Sequence, residues 1–144
     1  MTFAKEELRA SRGGYAVARA VRFQDVDAAG IVFFARLFEY FHDTLVAWMD
    51  GAGMRLDDAL KTGAWGAPLR HAEADFLRPL RFGDEIEVVV AAARLTGSEL
   101  WAGFRIDRAG EVCAVGTLVH VFLDMKTFQR IPPPPEMTAA IAKL

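Results

Sequence analysis

The chain has 144 residues, 53% of them hydrophobic, one cysteine and a formal net charge of −2. One domain is the natural count at this length, large enough to bury a core without disulfides, which the single Cys113 excludes in any case. The weak acidic balance argues against a nucleic-acid partner, no apolar run is long enough to cross a membrane, and MTFAKEELRASRGGY has no signal-peptide core, so a cytoplasmic protein is expected.

Met1–Gly14 is polar, ends in Gly13-Gly14, and reads as an N-terminal tail or short helical arm. Tyr15–Phe23 reads as a strand with Tyr15, Val17, Arg19, Val21 and Phe23 on one face. Gln24–Gly30 is an acidic loop of small residues. Ile31–Met49 has neither Gly nor Pro and predicts one long helix. Phe34, Leu37, Phe38, Phe41, Leu45, Trp48 and Met49 recur on it at helical spacing, with Arg36, Glu39 and Asp43 opposite. So wide an apolar face calls for a sheet wrapped around it. Gly51-Ala52-Gly53 ends the helix.

Arg55–Thr62 is a short amphipathic piece, and Gly63–Pro68 is a loop. Leu69–Phe76 is a strand, closed by Arg78-Pro79 and Phe82-Gly83-Asp84. Glu85–Leu95 alternates Ile86, Val88, Val90 and Ala92 toward one face. Thr96-Gly97-Ser98 is a hairpin turn. Glu99–Asp107 sets Leu100, Ala102, Phe104 and Ile106 against Trp101 and Arg105, and Arg108-Ala109-Gly110 turns into the long strand Glu111–Leu123. Pro132–Pro135 stops regular structure, and residues 136–144 form a C-terminal tail or short helix. One domain over 15–135 is expected, of class α+β, with a long helix on a mainly antiparallel sheet. The apolar composition suggests a homo-oligomer.

The chemistry concentrates where the acidic loop feeds the helix. A carboxylate there lies beside free N–H donors at a helix start. By residue type Asp27 is either a reactive group or a loop acceptor, Asp25 a structural acceptor, and Gly30 a turn glycine. His42, His71 and His120 have no metal-binding spacing, so no metal is expected. His120 reads as structural. His42 and His71 read either as satisfied histidines or as pocket residues. Trp65 borders a pocket or simply packs. Cys113 reads as an inert buried thiol. Arg78, Arg81, Lys126 and Arg130 are phosphate-binding candidates or solvated charges. There is no Gly-x-Ser-x-Gly elbow and no dinucleotide fingerprint.

Phe23-Gln24-Asp25-Val26-Asp27-Ala28-Ala29-Gly30-Ile31-Val32 resembles the signature of the 4-hydroxybenzoyl-CoA thioesterase family, aromatic-x-Asp-x-Asp-x-x-Gly-apolar-Val. Pro68–Pro79 with Gly83-Asp84 is similar to that family's second strand and turn. Val119–Arg130 before the prolines resembles its last strand. The resemblance runs from Tyr15 to Pro135. It implies the hotdog fold, a long central helix wrapped by about five strands, and assembly as a dimer or homotetramer with sites between subunits. It implies acyl-CoA as substrate, water as co-substrate and no cofactor.

By the same resemblance Asp27 is the nucleophile or general base, and the Phe34 backbone N–H polarises the thioester carbonyl. Gly30, Phe33, His42, Trp65 and His71 then shape the acyl site, and Arg78, Arg81, Lys126 and Arg130 meet the CoA phosphates. Arg36 and Leu37 stand where many members carry a small polar residue and a tyrosine, which bears on the substrate. The Asp27–Gly30 loop and His71–Phe76 also resemble the dihydroxynaphthoyl-CoA hydrolase branch. An aromatic acyl-CoA is therefore the first expectation and a short or medium aliphatic one the second. A non-catalytic acyl-CoA-binding module and a hotdog hydratase are the alternatives; the hydratase needs a His–carboxylate motif that does not appear.

Overall fold

The long helix and its sheet form around one apolar face. The computed structural model describes residues 3–144, so Met1 and Thr2 of the expected tail lie outside the described residues. The elements are α1 (Lys5–Ala10), β1 (Tyr15–Ala20), α2 (Phe34–Gly51), α3 (Leu56–Thr62), β2 (Leu69–Phe76), β3 (Glu85–Thr96), β4 (Glu99–Arg108), β5 (Glu111–Val121) and α4 (Glu136–Ala142). The strands make a single antiparallel sheet in the order β1-β3-β4-β5-β2. This is the α+β architecture that the periodicities predict. None of the helices is long and apolar enough to cross a membrane, among the described residues.

Leu37, Phe41, Leu45, Trp48 and Met49 of α2 are buried, as their spacing requires. Each such side chain contributes roughly 1.5–3 kcal/mol by leaving water. Phe41 stacks on Phe104 with ring centroids 4.8 Å apart. Gly116 makes room for that ring, since a Cβ there would collide with Phe41 and with the Glu73 carbonyl. Tyr40 and Thr44 are buried as well, although neither belongs to the predicted stripe.

Four local expectations are corrected. The helix begins at Phe34, not Ile31, because Ile31 and Val32 are held as bridges to Arg81 and Val26. Phe34 is 59% exposed rather than part of the core face. The first strand ends at Ala20, and Phe23–Asp25 closes into a single 3-10 turn. A bulge between Val90 and Ala92 reverses the alternation of β3. It sends Ala92 to the outer face with Trp101, while Ala93 and Leu95 take the helix side.

The outer face of the sheet is covered in part by the N-terminal arm. Phe3 and Leu8 pack there with Trp101, Val115 and Val119. Arg105 ties the arm down through the Ser11 hydroxyl at 2.7 Å. Met137 and Ala140 of α4 join the main core.

Candidate active site

A short hairpin-like loop carries Asp27. The Asp27 N–H donates to the Ile31 carbonyl and the Gly30 N–H to the Asp27 carbonyl, both at 2.9 Å. Gly30 closes this turn at φ +80°, where a side chain would be strained. The Asp27 Oδ1 accepts the Ala29 N–H at 2.8 Å. The other carboxylate oxygen carries no bond, and the residue is exposed at the loop tip.

The loop is held at its base by Asp25, which is 1% exposed. Its Oδ2 accepts the Tyr40 hydroxyl at 2.7 Å and the Arg22 N–H at 3.1 Å. Its carbonyl accepts the Phe33 N–H at 2.9 Å. Arg22 and Arg36 lie 3.8 and 4.0 Å from its oxygens. Burial alone would raise the Asp25 carboxyl; the Tyr40 and Arg22 hydrogen bonds and the charges of Arg22 and Arg19 outweigh it and hold the group below its ordinary value. Burial, then the bond to Asp25, drives the Tyr40 hydroxyl well above its own. Asp25 thus anchors the loop, and Asp27 is presented by it.

The Phe33 N–H is engaged by Asp25, so the first free donor of α2 is the Phe34 N–H, which has no partner. A cleft of about 440 Å³ opens in front of it. Asp27, Phe33, Phe34, Arg78 and Phe76 line this cleft, and Leu37 is among its walls, in the position where a tyrosine was noted as usual. A carboxylate with a free oxygen therefore shares an apolar cleft with the positive end of a helix. That arrangement can attack, or deprotonate water beside, a carbonyl whose developing negative charge the helix end stabilises.

The other predicted residues are distributed around this centre. Arg81 pairs with Ile31 at the rim. His42 faces a second groove, further along α2, with Phe38, Leu69 and Leu118. Trp65 packs on Phe122 at 5.4 Å and borders a small cavity with His42. His71 is paired with Val119 and so lies on the outer face of β2, bonded to Glu73 at 2.8 Å, apart from the cleft within one chain. Lys126 and Arg130 lie beyond β5, where the Lys126 stem rests on Gly63. Arg78 is ion-paired with Glu111, and Arg36 with Glu39.

Sequence reasoning missed Tyr40, although its place six residues after Phe34 could have set it beside the loop. It also missed Leu77 and Leu80, which wall the cleft on either side of the expected Arg78 and which no spacing marks.

Comparison with known proteins extends these observations. Residues 21–141 match the thioesterase-like superfamily. A 1,4-dihydroxy-2-naphthoyl-CoA hydrolase of Synechococcus elongatus is 32% identical over 121 residues, which is 83% of this chain and 89% of that one. That of Acaryochloris marina is 29% identical over 87% of this chain and 93% of its own. The crystal structure of a 1,4-dihydroxy-2-naphthoyl-CoA thioesterase from Synechocystis superposes with a TM-score of 0.83 at 24% identity, covering 92% of this chain and 98% of that one. A gentisyl-coenzyme A thioesterase superposes at 0.78 with 23% identity, over 85% and 98%. At such identities the structures share a fold.

Proposed function

The chain belongs to the thioesterase-like superfamily and is a thioester hydrolase of hotdog fold; from that premise we propose that it cleaves an aromatic acyl-CoA at the Asp27 cleft. The observation that carries this reading is that Asp27, with one carboxylate oxygen free, and Phe34, whose N–H is free, line one apolar cleft. The 1,4-dihydroxy-2-naphthoyl-CoA hydrolases named above support an aromatic acyl group, as does the aromatic lining of Phe33, Phe34 and Phe76.

The thioester carbonyl oxygen lies on the Phe34 N–H, where the helix dipole favours its developing charge. Asp27 either attacks the carbonyl carbon, expelling the CoA thiolate and leaving an anhydride for water to open, or takes a proton from the water that attacks. Arg78 and Arg81 stand at the cleft and its rim to meet the phosphates of CoA, and Lys126 and Arg130 serve the same purpose from a neighbouring copy.

A second copy completes the site. The backbone of β2 is unpaired on one side, and Leu69 and Phe76 along it are 52% and 54% exposed. With Phe33 and Phe34 they form an apolar margin that suits pairing of β2 with itself about a two-fold axis.

The test is thiol release from aryl- and alkyl-CoA thioesters by the wild type and D27N. A loss of about 100-fold or more in kcat is expected, on the order of 3 kcal/mol of transition-state stabilisation. Full activity in the variant would remove Asp27 from the chemistry. A best substrate among the alkyl esters would reassign the acyl group.

A further inference from the structure

The turn that follows β5 holds a large apolar side chain in a strained and exposed place. Phe128 is 67% exposed and has φ +60°, a conformation that a bulky residue rarely adopts. Ala109 is the other non-glycine residue at positive φ among the described residues, and it is small. Hydrogen bonds fix the turn in this shape. The Phe128 N–H donates to the Asp124 carbonyl at 2.7 Å, and the Asp124 N–H to the Gln129 carbonyl at 2.9 Å. The Asp124 Oδ1 accepts the Lys126 N–H at 2.8 Å and the Thr127 N–H at 3.2 Å. Leu123 and Arg130 bridge at the base. Glycine would fit this turn without strain. The phenylalanine there is strained in its backbone and gains little from burial of its ring.

Two exposed cations flank the ring in sequence, Lys126 and Arg130. Neither makes a salt bridge or a side-chain hydrogen bond among the described residues. Glu99, which feels the charge of Arg130, is engaged by Arg70. Asp124, the carboxylate of the turn, is occupied by backbone N–H groups. An exposed ring between two unpaired cations offers a stacking face and phosphate contacts together. Its place in the fold matters as well. β2 and β5 pair with Phe76 opposite Ala114 at one end and Leu69 opposite His120 at the other. The Asp27 cleft takes in Phe76 and Ala114, and the Phe128 turn follows the other end. Within one chain the two are thus a strand length apart. Pairing of β2 with its copy about a two-fold axis, as set out above, reverses that order. It brings Phe128 of the partner subunit to the cleft end of this one.

We propose that Phe128 stacks on the adenine of the acyl-CoA held in the partner subunit's cleft, beside the phosphates that Lys126 and Arg130 meet. The purine supplies a π-face for the bare ring, and the phosphates supply the anions that the two cations lack. Binding of substrate then covers the side chain that folding leaves exposed. This accounts for a phenylalanine where glycine would be relaxed. Phe128 is a binding residue remote from the reacting atoms, so it acts through KM. The inference rests on the acyl-CoA thioesterase reading above.

The test is kcat/KM for one aryl thioester carried on CoA and on pantetheine, which lacks the nucleotide, in wild type, F128G and F128W. Wild type should favour the CoA ester. F128G should lose about tenfold of that preference, the effect of one unstacked base, through KM rather than kcat, while F128W keeps it. F128G also relaxes the turn, so its Tm should not fall below that of wild type. An unaltered preference in F128G overturns the proposal, and a lowered Tm with the preference kept marks Phe128 as a packing residue. Calorimetric titration with CoA itself decides the same point without turnover. F128G should bind CoA about tenfold more weakly than wild type; equal affinities, or no binding by wild type, overturn the proposal. Wild type that hydrolyses neither ester overturns the thioesterase reading, and the CoA titration then judges Phe128 alone.

Discussion

Asp25 and His120 are both buried titratable groups, and their surroundings are opposite. Asp25 sits at the start of α2 with a tyrosine hydroxyl, a backbone N–H and two arginines around its carboxylate. His120, on β5, lies against His42 two turns further along that helix, and neither of its ring nitrogens has a hydrogen-bond partner among the described residues. A group whose every bond is made inside the chain has a structural task. A group folded into the interior with its bonds open costs stability instead. Asp27, two residues from Asp25, shows the same contrast at the surface: one oxygen fixes the loop and the other is free.

The largest effect should come from breaking the satisfied end. Asp25→Ala removes a buried charge from its arginines and strands the Tyr40 hydroxyl, so a loss of about 3–5 kcal/mol in unfolding free energy is expected. D27N, at the exposed tip, should stay within about 0.5 kcal/mol of wild type while losing activity. Urea unfolding of the two variants measures both. Equal losses would erase the distinction between anchor and reactive group.

The two ends should also separate with pH. Burial, and secondarily the nearby His42, pushes His120 down to about 4 from an ordinary 6.5. Between those values the unfolded chain binds a proton that the folded chain refuses, so stability falls as pH drops from about 6.5 to 4, by up to roughly 3 kcal/mol. Asp25 is held below its ordinary 3.8, so its contribution is complete above that pH and is lost only as pH falls through its lowered value. Unfolding free energy measured against pH should therefore decline in two windows, and H120F should flatten the upper one. An upper window that survives in H120F would trace it to another group.

Much of this was legible in the sequence because strand and helix periods and turn glycines are local signals. β2 was read with its observed ends, and the Asp27 loop was read from its motif. The remainder depends on contacts between distant positions. The burial of Asp25 is decided by Tyr40, which the apolar stripe of α2 omits. The open bonds of His120 appear only once β5 is laid against His42, from which it is far removed in sequence. The reversal of Ala92 follows from a bulge at Ala91, and the alternation of Ile86, Val88 and Val90 runs on past it without a mark.

Tyr40→Phe is the finest test of the satisfied end, because it removes one oxygen and leaves the ring. Arg19 lies over that ring at 4.1 Å and keeps its contact in the variant. What is lost is one hydrogen bond to a charged acceptor, about 2 kcal/mol. The Asp25 carboxyl should rise at the same time, since the Tyr40 hydroxyl is the strongest of the interactions holding it down. The lower acid window should then open at higher pH while the upper, His120 window stays where it is. A Tyr40→Phe variant as stable as wild type, with its lower window in place, would mean that Arg22 and Arg36 suffice to hold Asp25, and that the loop is anchored by charge rather than by the tyrosine.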